Sequence, residues 1–302
     1  MNRNIITAIN AMAVILTLCQ AISCQHKDLC YDHPHNGSLK VVFDWTKAAE
    51  TVGQNMELFL FPTNGGQSLH YQFYDIYGGA IDVPSGTYEA ICANAGTGAN
   101  RFDDPSDSYD GFTVTTRSVG KADDVILEPD ILYSDHIDNF EIIGGKGQTL
   151  VMYPVQKTPR YMVILNNIRN LNGARNCTAT LSRLSCGYIE AKRAPTDDIH
   201  SQNFSLARAG ETTLVGYVTI FGHGHAKCSE HNLTLHFTLQ DGRELDCIVD
   251  ITSRMRELAG QNSMDGKIII DMDIDIPKPI SNGSGFQPSV DGWEGEEVEV
   301  TI

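Results

Sequence analysis

Basic charge is scarce in this chain: 22 Lys and Arg stand against 38 Asp and Glu in 302 residues, a formal charge of -16. A surface of that sign excludes sequence-blind binding to nucleic acid, which needs cations against phosphate. Long apolar runs are also missing, since no stretch reaches the ~18 consecutive apolar residues of a membrane-spanning helix. The motifs of common catalytic sites are absent too: there is no G-x-S-x-G, no H-E-x-x-H and no P-loop. An enzyme is not expected, and no cofactor is implied.

What the chain does have is β grammar. Hydrophobic residues make up 41% and charged residues only 20%, which separates it from a disordered acidic chain. Eleven Tyr, eleven Phe and 27 Gly, with few helical periods, point to strands and turns. Leu39, Val41, Phe43 and Trp45 alternate as one face of a half-buried strand, while MELFLF (residues 56–61) is a more continuous apolar run, as in a central strand. Residues 70–76 and 80–83 flank Gly78-Gly79, a hairpin signal. Tyr88, Ala90 and Cys92 share a face within residues 87–95. Leu233, Leu235, Phe237 and Leu239 alternate up to Asp241-Gly242, and Leu245, Cys247 and Val249 alternate after it, the strongest hairpin of the chain. Ile268, Ile270, Met272, Ile274 and Ile276 form a long strand stopped by Pro277 and Pro279, and Val298, Val300 and Ile302 alternate with Glu297, Glu299 and Thr301 in a C-terminal strand. This pattern predicts an all-β chain of two tandem antiparallel β-sandwich domains, 37–145 and 146–280, divided at Gly144-Gly145, with residues 281–302 as linker and C-terminal strand.

Residues 5–18 form an apolar run suited to a signal-peptide core, followed by Ala21-Ile22-Ser23-Cys24. Small residues before a Cys resemble the lipobox of bacterial lipoproteins, which implies cleavage before Cys24 and lipidation of its sulfur. Residues 1–23 then leave with Arg3 and no acid, giving 279 residues with a charge of -17 and a polar tether over 24–36. Two or three acyl chains hold a protein firmly on a membrane where one does not.

Further segments are Leu29-Cys30-Tyr31-Asp32-His33-Pro34-His35, VVFDW (residues 41–45), LFLFPTNGG (58–66), Val83-Pro84-Ser85-Gly86-Thr87-Tyr88, Leu239-Gln240-Asp241-Gly242 and Val290-Asp291-Gly292-Trp293. Together they resemble surface lipoproteins of Bacteroidales allied to the accessory and anchor subunits of the fimbrillin (type V pilus) superfamily. The resemblance implies transthyretin-like sandwiches, attachment to the outer membrane at the cell surface, and association with fimbrial subunits by strand addition. Its exchange strands would be residues 39–45 or 298–302. Subunits that polymerise are cut after a basic residue near the first strand. Lys40 and Lys47 bracket that strand without a cleavage motif, which leaves an anchor or tip part. The alternative is a glycan-binding surface lipoprotein of a nutrient-uptake system, using Tyr71, Tyr74 and Tyr77.

Other clusters invite bland readings beside sharp ones. His223, His225, Cys228 and His231 have the donors for zinc, but their spacing is not that of a finger and two glycines make the segment a loop. Asp103, Asp104, Asp107 and Asp110 lack the EF-hand pattern and read as a solvated loop. Asp271, Asp273 and Asp275 read as the wet face of a strand. Six cysteines remain after Cys19 and Cys24, too few for a disulfide scaffold; mostly buried thiols are expected, with Cys177–Cys186 the pair to test.

Overall fold

Strand-forming segments dominate because apolar residues recur at period two, or continuously, and turn residues interrupt them. The computed structural model describes residues 35–48, 55–94, 98–103, 108–119, 124–223, 230–261, 263–278 and 298–300. They hold one short α-helix, α1 (Thr252–Gln261), two single turns of 3-10 helix and 21 strands.

The first core lies between two sheets. One has the order β10-β1-β4, from β1 (Asn36–Phe43), β4 (Gly78–Pro84) and β10 (Gly147–Met152). The other has the order β11-β9-β5-β2-β3, from β2 (Met56–Pro62), β3 (Leu69–Phe73), β5 (Gly86–Asn94), β9 (Tyr133–Ile142) and β11 (Val155–Gln156). Leu39, Val41 and Phe43 meet Leu58, Leu60, Tyr88, Ala90 and Cys92 between them. Trp45 closes one end, its indole N–H donating to Ile76 O at 2.7 Å.

Two expectations change here. Gly78-Gly79 does not close a hairpin, because β3 pairs with β2 in one sheet and β4 with β1 in the other. Gly78 instead turns the chain between sheets: its φ is +106°, and a Cβ there would sit 2.2 Å from Val41 O, so only glycine fits. The division at Gly144-Gly145 also shifts. Leu150 and Met152 of β10 belong to the first core and β11 pairs with β9 in its second sheet, so the chain passes to the second core only after Gln156, where Pro159 leads into the next strand.

The second core is enclosed by one long, bent sheet, β20-β12-β17-β16-β13-β18-β19-β21. Its strands are β12 (Arg160–Arg169), β13 (Ala174–Ser185), β16 (Ile199–Arg208), β17 (Leu214–Thr219), β18 (Asn232–Leu239), β19 (Glu244–Asp250), β20 (Asp265–Asp275) and β21 (Val298–Val300). β16 changes partner along its length, pairing with β13 over residues 199–205 and with β17 over 206–208. The sheet thereby folds over its own core, and Tyr161, Val163, Leu206, Leu235, Phe237 and Ile268 converge there. Residues 178–184 lie in β13. The expected hairpin forms with Leu235 opposite Cys247 and Phe237 opposite Leu245.

The sheets are not purely antiparallel. β10 is parallel to β1, β20 to β12, β21 to β19, and β8 (Val125–Ile126) to β16. Parallel partners need a crossover connection rather than a turn, so they leave no mark in local sequence.

A fourth sheet, β15-β14-β7-β6, joins the two halves. β6 (Asn100–Asp103) and β7 (Thr113–Thr116) come from the first half, β14 (Gly187–Ile189) and β15 (Ala194–Pro195) from the second. Tyr188 pairs with Val114 across the seam. Gly187 permits this approach, since a Cβ there would meet Val114 O at 2.7 Å. Beneath this sheet Phe59, Phe61, Ile91 and Ala93 pack against Phe112, Val114, Tyr188 and Phe221. β2 and β5 are therefore buried on both faces over residues 58–61 and 90–93, which is why those stretches, LFLF and AICA, are continuously apolar.

Candidate functional site

An edge strand carries a row of unpaired backbone groups and is a template for another strand. At one end of the long sheet that edge belongs to β19, partly covered by β21. Three pairs hold the cover in parallel: Cys247 with Val298, Ile248 with Glu299 and Val249 with Val300. β18 holds the other side of β19 through seven pairs, from Asn232–Asp250 to Thr238–Glu244. The turn between β18 and β19 is closed by Leu239 N donating to Arg243 O at 2.8 Å. β21 is thus held by only three pairs, on one side, and follows β20, which ends at Asp275.

β1, the other strand considered for exchange, is placed differently. It is the middle strand of its sheet, with seven pairs to β4 and six to β10. Leu39, Val41 and Phe43 are each 1% exposed, so removing β1 would open the whole first core. Of the two candidate segments, only the C-terminal one lies at an edge.

A second feature is a cavity of about 500 Å3 in the second half, lined by residues between Lys157 and Met264. It gathers residues from five separate segments: Lys157 and Tyr161 around Pro159, Tyr188 and Arg193 at β14 and β15, Phe221 and His223 after β17, His231 before β18, and Met255 and Arg256 on α1. No spacing in the sequence connects them. Tyr161 Oη and His223 Nε2 are 2.8 Å apart, and the rings of His223 and His231 stand edge to face at 6.3 Å. His231 Nδ1 lies 3.1 Å from Ser182 O, which makes it the donor and leaves Nε2 as an acceptor. Burial, then the neighbouring His231, pushes the His223 imidazole down to about 4. Burial likewise lowers His231. Both rings are uncharged at neutral pH. His223 Nδ1 is buried without a hydrogen-bond partner.

The structure thus brings together the first and last members of the His/Cys cluster. His225 and Cys228 lie outside the described residues, as do Cys24, Asp104, Asp107 and Trp293. Among the described residues no three His, Cys, Asp or Glu side chains form a metal-holding group. Asp103 lies in β6 and Asp110 is exposed in the turn before β7. Asp271, Asp273 and Asp275 face outward from β20, with Arg169 3.4 Å from Asp273 and 3.8 Å from Asp275.

Tyr71 is half-buried against the first core, while Tyr74 and Tyr77 are 79% and 61% exposed between β3 and β4. Cys92, Cys177, Cys186 and Cys247 are thiols. The pair Cys177–Cys186 is not formed: both lie along β13 or at its end, and nine residues of strand separate them by roughly 30 Å. No helix of the described residues is long and apolar enough to cross a membrane.

Comparison with known proteins places these features. Over 96% of this chain and 97% of its own length, a Bacteroides ovatus protein named "Putative fimbrium anchoring subunit Fim4B" is 19% identical. The crystal structure of a "putative adhesin" from the same species matches with a TM-score of 0.67 at 19% identity, over 85% of this chain and 98% of its own. The fimbrial anchor protein Mfa2 from Porphyromonas gingivalis matches with a TM-score of 0.52 at 13% identity, over 78% and 90%. The chain shares the fold of these nearly all-β proteins. Residues 23–205 match the model of a domain of unknown function, DUF5119, and the chain belongs to that family.

Proposed function

We propose that this protein is a non-enzymatic subunit of a surface fibre, an anchor or adhesin, held on the outer membrane through lipid on Cys24 and joined to neighbouring subunits by strand addition. The observation that carries the reading is β21: a three-residue strand on the β19 edge, at the end of a chain that aligns nearly end to end with a fimbrium anchoring relative. Nineteen residues separate Lys278 from Val298, twenty steps of chain that span up to about 66 Å when extended. The same strand can therefore reach its own β19 or a neighbour's. Main-chain bonds give such a contact its affinity and alternate side chains its specificity.

Two variants test the reading. Cys24→Ala is expected to release the protein from membranes on fractionation, and full retention would sink the lipid anchor. Val298→Pro removes a backbone donor and fixes φ in the added strand; it is expected to abolish copurification of fibre subunits while the anchored protein stays folded. Unchanged copurification would remove β21 from the mechanism. Tyr74 and Tyr77 support a second reading, glycan binding by stacking, which predicts retention on a polysaccharide column that is lost in the double Ala variant.

A further inference from the structure

We propose that this cavity, beside α1 in the second half, is a binding site for a small amphipathic anion: an aromatic or branched apolar body carrying one carboxylate or sulfonate. Its volume of about 500 Å3 falls among pockets that hold small organic ligands. Tyr188, Phe221, Met255 and Leu258 supply apolar walls for the body of the ligand.

The charge of the lining selects the head group. Lys157, Arg193 and Arg256 line the cavity, and among the described residues no Asp or Glu lines it, in a chain that carries sixteen more acids than bases. A cleft of one sign with apolar walls concentrates ligands of the opposite sign. Outside this lining, Asp250 interacts electrostatically with Arg256, and the buried Glu190 with Lys157. Arg193 is held in place by His136, whose Nε2 lies 3.0 Å from its Nε and 2.8 Å from its Nη2. Burial keeps His136 below its ordinary value, so at neutral pH that contact does not cancel the guanidinium charge. His223 and His231 are uncharged as well, so the positive field in the cavity is that of the three bases. This site is separate from β19 and β21, and stands or falls independently of the fibre reading.

The test uses 1-anilinonaphthalene-8-sulfonate, an aromatic anion that fluoresces on entering an apolar site, with the full chain. Saturable binding of one equivalent is expected. Ala259→Trp fills the cavity from an exposed position on α1, and should raise Kd roughly tenfold or more. Lys157→Gln and Arg256→Gln should each weaken binding several-fold, and they decide the matter if Ala259→Trp does not fold. Ile269→Lys, on the outer face of β20, should leave Kd unchanged. 4-Phenylbutyrate should displace the probe and 4-phenylbutanol should not. Wild-type affinity in Ala259→Trp, or equal displacement by the acid and the alcohol, would overturn the proposal. So would loss of binding in Ile269→Lys alone, which would place the probe on the outer face.

Discussion

The two large sheets solve the burial of apolar strands in opposite ways. The sheet containing β2 and β5 is covered on both faces, by the first core on one side and the bridging cluster on the other. The long sheet around the second core is covered on its inner face alone. Its outer face keeps Tyr217 45% and Ile269 51% exposed, with Met162 paired to Tyr217 and Ile164 to Ile269. Consequently residues 58–61 of β2 read as an unbroken apolar run, whereas β18 alternates buried and half-buried residues along its whole length. Strand sequence records how many faces are covered, rather than how central a strand is. β13 and β18 are interior strands, yet they alternate.

The largest effect should come from a side chain on a doubly covered strand. Phe59→Ala removes a ring that is 0% exposed and packs against Phe102, Phe112 and His70. A loss of about 3–5 kcal/mol is expected in denaturant melts. Phe237→Ala, 1% exposed on the inner face of the long sheet, belongs to the same range. A loss below about 1 kcal/mol at either position would contradict the two-face assignment.

Next comes the seam. Glu190 is 0% exposed; Ser134 Oγ donates to its carboxylate, and its backbone N–H donates to Phe112 O at 3.2 Å. Burial raises its carboxyl from 4.5 to about 7. The folded chain therefore binds more protons at this site than the unfolded chain between those values, and stability falls as pH rises through them. His223 acts in the opposite sense: between about 4 and 6.5 its folded form binds fewer protons, and stability rises with pH. The two slopes offset each other below 6.5, leaving the Glu190 loss above it. Glu190→Gln is expected to stabilise the protein by on the order of 2–3 kcal/mol at pH 8 and to change little at pH 5. Equal effects at both pH values would mean that the carboxyl does not titrate in this window.

Smaller effects follow at the edges. Deleting residues 298–302 removes three backbone pairs and should cost about 1 kcal/mol or less, since net hydrogen-bond contributions are modest. A large loss of stability would make β21 a fixed part of the second core. Smallest of all, Tyr217→Ala on the wet face should stay within about 0.5 kcal/mol. A greater loss would indicate that this face is covered in solution.

Legibility followed the same division. The hairpin of β18 and β19 could be read residue by residue because one covered face imposes period two and Asp241-Gly242 sets the turn. The outward row of Asp271, Asp273 and Asp275 was legible for the same reason. The parallel partners, β1 with β10 and β12 with β20, were not, because both strands of each pair are ordinary strands whose meeting depends on everything between them. Gly78-Gly79 carried the signature of a hairpin, but a left-handed glycine serves equally to pass between sheets. Of the cavity, the sequence showed only His223 and His231. Tyr161, Arg193 and Arg256 come together through folding alone.

The bridging sheet also sets an order of events. β7 waits for β14, whose residues lie more than 70 positions later, and β8 waits for β16 at a similar distance. A chain made from its N-terminus can close its first core once β10 and β11 arrive, and Phe102, Tyr109 and Phe112 are by then available to pack on Phe59 and Phe61. Until β14 follows, that second cluster still lacks Tyr188 and Phe221. Non-local pairings of this kind slow folding and leave apolar surface open to aggregation. The half-made protein therefore passes through a stage in which one face of its central sheet is only partly covered, and the arrival of residues 187–189 and then Phe221 completes the cover.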